Sequence, residues 1–168
     1  AIRVLDATLR DGGLVNDFRF SDEFVRALIA ANAAAGVDYM ELGYKADADL
    51  FDREKFGKWK FCREEEIIPV IGENKTEMKF SCMADVGRCN FTRDICQKAD
   101  SPFDMYRIAT YINTIPAAIE MIEYCEKMGY ETTVNIMAVS RETEKEISLA
   151  LDMLGKSPVR AIYIVDSY

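Results

Sequence analysis

Near its start the chain sets an arginine, an aspartate and two glycines side by side, as Arg10-Asp11-Gly12-Gly13. The short apolar run Ile2 to Leu5 before them reads as a strand, and the polar stretch reads as the loop that follows it. At the carboxyl end of a parallel strand, such a loop faces the crevice where α/β proteins bind ligands. There Asp11 offers a hard oxygen ligand to a divalent cation. Arg10, permanently charged and forked, suits a carboxylate or a developing enolate oxygen. The two glycines let backbone approach a ligand closely. Residue types and spacing alone leave open a plainer alternative, a loop salt bridge beside a glycine turn.

Three further polar residues sit where chemistry is possible. Arg107 falls in the middle of an apolar run, where an unpaired charge is costly, so it calls for an acidic partner such as Glu41 or Asp6. That pair either lines a site or braces the interior. Asn135 either lines the same cavity or satisfies backbone. Asp166 follows the last apolar run, as a ligand-contacting carboxylate or as the cap of a following helix.

Composition narrows the field. The chain has 168 residues, 49% of them apolar, with 21 Lys+Arg against 29 Asp+Glu and no histidine. Every histidine triad, histidine base or histidine metal ligand made within these residues is excluded. A net charge of −8 argues against nucleic acid or an anionic membrane as partner. No apolar run approaches the ~20 residues of a membrane span. Five cysteines without a Cys-x-x-Cys pair fit free thiols in a reducing, cytoplasmic setting. Cys82, Cys89 and Cys96 lack the tight spacing of a zinc site. The run Arg63-Glu64-Glu65-Glu66 reads as a solvated helix face, and Phe56, Trp59 and Phe61 as core or oligomer contact.

The elements that position these residues alternate. After the first strand, Ser21 reads as an N-cap, with Asp22 and Glu23 in the first turn and Gly36 past the end. Further strands are expected at Tyr39–Leu42, Met78–Ala84, Tyr106–Ile112, Thr132–Ala138 and Ala161–Val165. Between them fall helices at Arg63–Ile68, within Thr92–Lys98, from Thr114 to Gly129, and at Arg141–Leu154. Strand–helix alternation with short connections means a parallel sheet of right-handed βαβ units. Periodicity does not separate an incomplete eight-fold barrel from an open doubly wound sheet.

The segment Asp6-Ala7-Thr8-Leu9-Arg10-Asp11-Gly12 resembles the first-strand signature of the metal-dependent lyase and aldolase superfamily built on a TIM barrel. Its members include 2-isopropylmalate synthase, 3-hydroxy-3-methylglutaryl-CoA lyase and 4-hydroxy-2-oxovalerate aldolase. Met40-Glu41-Leu42-Gly43-Tyr44 is similar to the Glu-x-Gly segment of its second strand. Tyr106-Arg107-Ile108-Ala109-Thr110 is similar to its fourth strand, and Ala161 to Ser167 to its sixth. The resemblance implies a TIM (β/α)8 barrel of which this chain forms the first six strands, with strands seven and eight missing. It implies Asp11 as a metal ligand, Arg10 as the group that stabilises an enolate, and Glu41 as an acidic site residue. The implied cofactor is a divalent metal, Mn2+ or Mg2+ with Zn2+ as a further choice, held also by a His-x-His on strand seven.

Two departures bear on the reaction. Gly13-Leu14 stands where condensing synthases carry Glu-Gln, and Leu14 stands where the hydroxyoxovalerate aldolases carry a histidine. The general base is then expected from Tyr44, Lys45 or residues beyond this chain. The expected activity is cleavage of a carbon–carbon bond in a small oxo- or hydroxy-carboxylate. An acyl-CoA-dependent condensing synthase and a non-catalytic barrel for binding or assembly are the alternatives. The six-strand piece by itself is expected to be inactive. Its uncovered edges call either for more polypeptide after Tyr168 or for a second copy of the chain.

Overall fold

The computed structural model describes residues 2–167. Six strands, β1 (Leu5–Asp6), β2 (Tyr39–Tyr44), β3 (Lys79–Asp85), β4 (Met105–Thr110), β5 (Glu131–Ile136) and β6 (Ala161–Ile164), form one sheet in chain order. Every neighbouring pair is parallel. The helices are α1 (Thr8–Asn16), α2 (Asp22–Ala34), α3 (Glu64–Ile71), α4 (Phe91–Asp94), α5 (Ile115–Lys127) and α6 (Glu144–Leu154). The sheet curls. Tyr39 on β2 donates its hydroxyl to Glu131 Oε2 on β5 at 2.9 Å, although three strand spacings, roughly 14 Å, would part them in a flat sheet. This is the TIM-barrel arrangement through its first six strands, and the open doubly wound sheet is excluded.

Alternation along each strand divides the side chains into two environments. Met40, Leu42, Phe80, Cys82, Tyr106, Ile108, Val134 and Ile136 point outward and meet Ile67, Val70, Ala118, Met121, Ile122 and Cys125 from the helices. That layer is the core, with Tyr106 and Tyr130 packed edge to face at 4.8 Å between ring centroids. The opposite, concave face carries Glu41, Ser81, Arg107, Thr133 and Asn135, all buried. A polar interior beneath an apolar outer layer places the chemistry on the concave side.

Several expectations are corrected. The stretch after β1, expected as a loop, is helix α1, with both Arg10 and Asp11 in it. Its start is tied by Asp6, whose carboxylate accepts from Thr8 N at 3.2 Å and Thr8 Oγ1 at 2.7 Å. Glycine in a helix costs about 1 kcal/mol against alanine. Here Gly13 is required by packing, since a Cβ there would lie 2.1 Å from Cδ1 of the buried Phe18 ring. Gly13 serves that contact, whereas a Cβ at Gly12 would meet only Phe20 Cζ at an ordinary 3.5 Å.

Ser21 caps α2 as expected, accepting from Phe24 N at 3.2 Å, and Gly36 follows with φ +74°. The helix expected within Thr92–Lys98 is reduced to the single turn α4. The last helix starts at Glu144 and not at Arg141, because Thr143 and Glu146 form a capping box there. Glu64 leaves the solvated face assigned to its run and pairs with Lys45. No helix among the described residues is long and apolar enough to cross a membrane.

Candidate active site

Helix α1 begins directly beyond β1, so Arg10 and Asp11 stand at the carboxyl end of the sheet. From there a chain of charged side chains runs across the concave face. Arg10 donates from Nη1 to Asp11 Oδ1 and from Nε to Glu41 Oε1 at 2.8 Å. The same Glu41 oxygen accepts from Arg107 Nη1 at 2.8 Å. Arg107 then reaches Asn135 Oδ1 from Nη2 at 3.4 Å, and its guanidinium carbon lies 5.0 Å from the centre of the Tyr163 ring. Residues from α1, β2, β4, β5 and β6 thus converge on one polar seam.

The burial gradient along this seam decides what each member can do. Glu41 is fully buried, and the Arg10 and Arg107 side chains are 16% and 8% exposed. Asp11 is 63% exposed, so it stands at the rim with its Oδ1 held by Arg10. Burial works against the charge on Arg10, but Glu41, Tyr44 and Asp11 together outweigh it and hold the guanidinium above its ordinary pKa. Arg10 is therefore a fixed cation, positioned from beneath by a carboxylate that water does not reach. Glu41 Oε2 and Arg107 Nε are buried with no hydrogen-bond partner among the described residues. Ser81 and Thr133 leave their hydroxyls in the same state.

Tyr44 joins the seam through an irregularity in β2. Glu41 pairs with Ser81 and Tyr44 with Met83, so three residues of β2 advance against two of β3. This bulge brings Tyr44 round to the concave face beside Arg10 and sends Lys45 outward. Burial raises the Tyr44 phenol, Asp85 raises it further, and Arg10 opposes both. Tyr44 is thus a proton donor at neutral pH and not the expected base.

Lys45 is not a base either. Its ammonium donates to both Glu64 oxygens at 2.7 Å and to Cys62 O at 2.8 Å, which commits all three of its protons. Asp166 lies apart from the seam; its Oδ1 accepts from Ser140 N at 3.1 Å, tying β6 to the loop after β5.

Two charged residues at the mouth escaped the sequence reading. Asp85 ends β3 on the concave face, and Lys60 sits in a single 3-10 turn, Lys58–Lys60, between β2 and α3. Strand parity counted from Ser81 finds Asp85. No spacing signal finds Lys60. A cleft of 320 Å³ beside Lys45, Phe61, Glu64 and Arg93 lies on the outer side of β2 and contains none of the seam residues.

A divalent metal needs several converging oxygen or nitrogen donors. Among the described residues no three His, Cys, Asp or Glu side chains come together in that way. Asp11 supplies one exposed carboxylate, already engaged by Arg10. These residues do not make a metal site by themselves.

No protein-family model matches the chain. It is 25% identical over 167 residues to 4-hydroxy-2-oxovalerate aldolase 5 of Rhodococcus opacus, covering 99% of this chain and 46% of that protein. It is 26% identical over 167 residues to the 4-hydroxy-2-oxovalerate aldolase of Geobacillus genomosp. 3, covering 99% and 49%. The chain spans about half the length of the curated relatives it matches. Among solved structures, the N-terminal domain of a candidate aldolase from Bacteroides vulgatus superposes with a TM-score of 0.72. It has 22% identity and covers 98% of this chain and 62% of that one. The HMG-CoA lyase of Brucella melitensis superposes at 0.67 with 13% identity, over 97% of this chain and 60% of its own. Along its whole length, then, this chain resembles the 4-hydroxy-2-oxovalerate aldolases and shares the fold of HMG-CoA lyase, members of the superfamily to which its Asp6–Gly12 signature is similar.

Proposed function

We propose that the protein containing this chain is a carbon–carbon lyase of the aldolase type, acting on a small oxo- or hydroxy-carboxylate through an enolate. The observation that carries this reading is Arg10, a cation fixed at the sheet's carboxyl end by the buried Glu41. A preorganised cation at the point where an enolate oxygen gains charge lowers the barrier without reorganising first. Arg10 binds that oxygen, Glu41 and Arg107 keep Arg10 from swinging away, and Tyr44 offers a proton beside it. The unpartnered Glu41 Oε2 is an acceptor for a substrate hydroxyl or a water; left empty, such a buried group costs about 1–3 kcal/mol.

A divalent cation, Mn2+, Mg2+ or Zn2+, belongs to this proposal as the Lewis acid of the complete site. Asp11 is the one ligand these residues offer it, and the others lie outside the six strands. The aldolase names of the curated relatives support cleavage over acyl-CoA condensation. Two arginines sharing one buried carboxylate beneath an exposed aspartate favour a catalytic site over a non-catalytic barrel. The substrate is a small-molecule carboxylate, with neither nucleic acid nor membrane as partner, and the protein acts in the cytoplasm. Self-association into a homo-oligomer belongs to the proposal as well.

The test is pyruvate release from a 4-hydroxy-2-oxo acid by the full-length protein. Arg10→Ala is expected to lower kcat roughly 10²- to 10³-fold, the usual effect of losing an oxyanion donor. Undiminished turnover in that variant overturns the role of Arg10.

A further inference from the structure

Among the described residues, the lyase reading leaves one task unassigned. Cleavage of a β-hydroxy carbonyl compound begins with loss of the hydroxyl proton, and the chain holds no histidine to take it. Lys45 is committed to Glu64 and Cys62. Tyr44 stays protonated. Glu41 is locked between two guanidiniums, and Asp11 is held by Arg10.

Asp85 remains, and its surroundings differ from those of the other carboxylates. It closes β3 at the carboxyl end of the sheet, paired in register with Ala109, and shares the concave parity of Ser81 and Met83. Its Oδ1 is shut off from solvent and has no hydrogen-bond partner among the described residues. With Tyr44, Phe51, Lys60 and Arg88 it lines a recess too narrow to hold a water molecule. This unpartnered oxygen is an acceptor that feels the charge of the fixed Arg10.

Lys60 stands behind it in an unusual setting. Its ammonium lies 4.4 Å from the ring centre of Phe51, 4.7 Å from Tyr44, 5.1 Å from Phe18 and 5.6 Å from Phe56. Four rings within cation–π range hold the charge in place without neutralising it. Burial lowers the Lys60 pKa, while Asp85 opposes that effect and Arg88 adds to it.

We propose that Asp85 is the proton-transfer group of this site and that Lys60, fixed in its aromatic cage, is its positioning residue. This rests on the lyase reading and adds the base that reading lacks. The Asp85 carboxylate takes the proton from the substrate hydroxyl, and the hydroxyl-bearing carbon becomes an aldehyde carbonyl. The carbon–carbon bond breaks, and its electron pair forms the enolate whose oxygen Arg10 binds. Asp85 then returns its proton to the enolate carbon, giving the methyl group of the released oxo acid.

The charges facing Asp85 set its pH behaviour. Burial raises its pKa; Lys60, Arg88 and Arg10 pull it down, and Glu41 pushes it up. Activity therefore falls as pH drops through the Asp85 pKa, because the base must be ionised.

The experiment uses the full-length protein with its metal, measuring pyruvate release from a 4-hydroxy-2-oxo acid across pH. Asp85→Asn is expected to lower kcat roughly 10²- to 10⁴-fold and to abolish the acid limb, with KM little changed. Asp85→Glu should restore part of the rate. Lys60→Met keeps the carboxylate but removes its counter-charge, and should move the acid limb up by about 1 unit. If the wild type cleaves and Asp85→Asn keeps its rate, the inference fails and the lyase reading stands. The same holds if Asp85→Asn slows but retains the wild-type acid limb, or if Lys60→Met leaves that limb in place. A wild type that releases no pyruvate overturns the lyase reading and the inference with it.

Discussion

Replacing Glu41 with glutamine keeps the side chain's shape and removes its charge, leaving Arg10 and Arg107 facing each other in the interior. Each guanidinium now sits 2.8 Å from the shared Oε1. With an effective dielectric near 20, each contact is worth about 6 kcal/mol of attraction before the cost of desolvation is set against it. Measured losses on breaking one side of a buried ion pair are smaller, about 3–5 kcal/mol, and that is the effect expected for Glu41→Gln. Asp11→Asn breaks a pair whose carboxylate is 63% exposed, so its cost should be about 0–1 kcal/mol. Urea unfolding of the two variants beside the wild type measures the contrast. A second measurement follows from the geometry: Arg107→Met added to Glu41→Gln removes one of the two opposed cations and should recover part of the loss. Equal midpoints for Glu41→Gln and Asp11→Asn would refute the assignment of Glu41 as the buried anchor of the site.

Other perturbations separate packing from chemistry. A Cβ at Gly43 would lie 1.9 Å from the Trp59 carbonyl oxygen, so Gly43→Ala should cost about 1–3 kcal/mol in urea unfolding. Lys45→Met removes the partner of Glu64 and should lower the unfolding midpoint while leaving the pH profile of the proposed pyruvate release unchanged; a lost limb would mark Lys45 as a base after all. Because burial raises the Asp85 pKa in the folded state, the folded protein binds that proton more tightly than the unfolded chain does. The ionised group then costs stability at neutral pH, so Asp85→Asn should be more stable than wild type at pH 7. That gain should vanish as pH falls below the ordinary carboxylate range, and a gain independent of pH would show that Asp85 is not the titrating group.

The strand–helix alternation was legible because each buried strand is an apolar run bounded by turn residues, and the Ser21 cap because its side chain acts on its own backbone. Arg107 was legible as a charge in need of a partner, since the cost of burying it unpaired holds in any fold. Helix α1 was not. Two adjacent glycines read locally as a turn, and what Gly13 accommodates is the ring of Phe18, which reaches it only when the chain folds back. Lys60 was not legible for the same reason, since the rings around it come from Phe18, Tyr44, Phe51 and Phe56 and share no period with it. Asp85 lay within reach, one residue past the expected strand end at Ala84.

The bulge in β2 explains why adjacent residues proposed for one role came to differ so sharply. In a regular strand Glu41 and Gly43 would share the concave face, and Tyr44 would turn to the helices. The extra residue between Glu41 and Tyr44 reverses that parity at the strand's carboxyl end. Tyr44 then meets Arg10, and Lys45, displaced to the outer face, finds Glu64 at the start of α3. Gly43 permits the irregularity because nothing larger than hydrogen fits against the Trp59 carbonyl. The Glu-x-Gly segment is therefore one device with two parts. Its glutamate anchors the arginine of the site, and its glycine lets the strand turn a phenol toward that arginine.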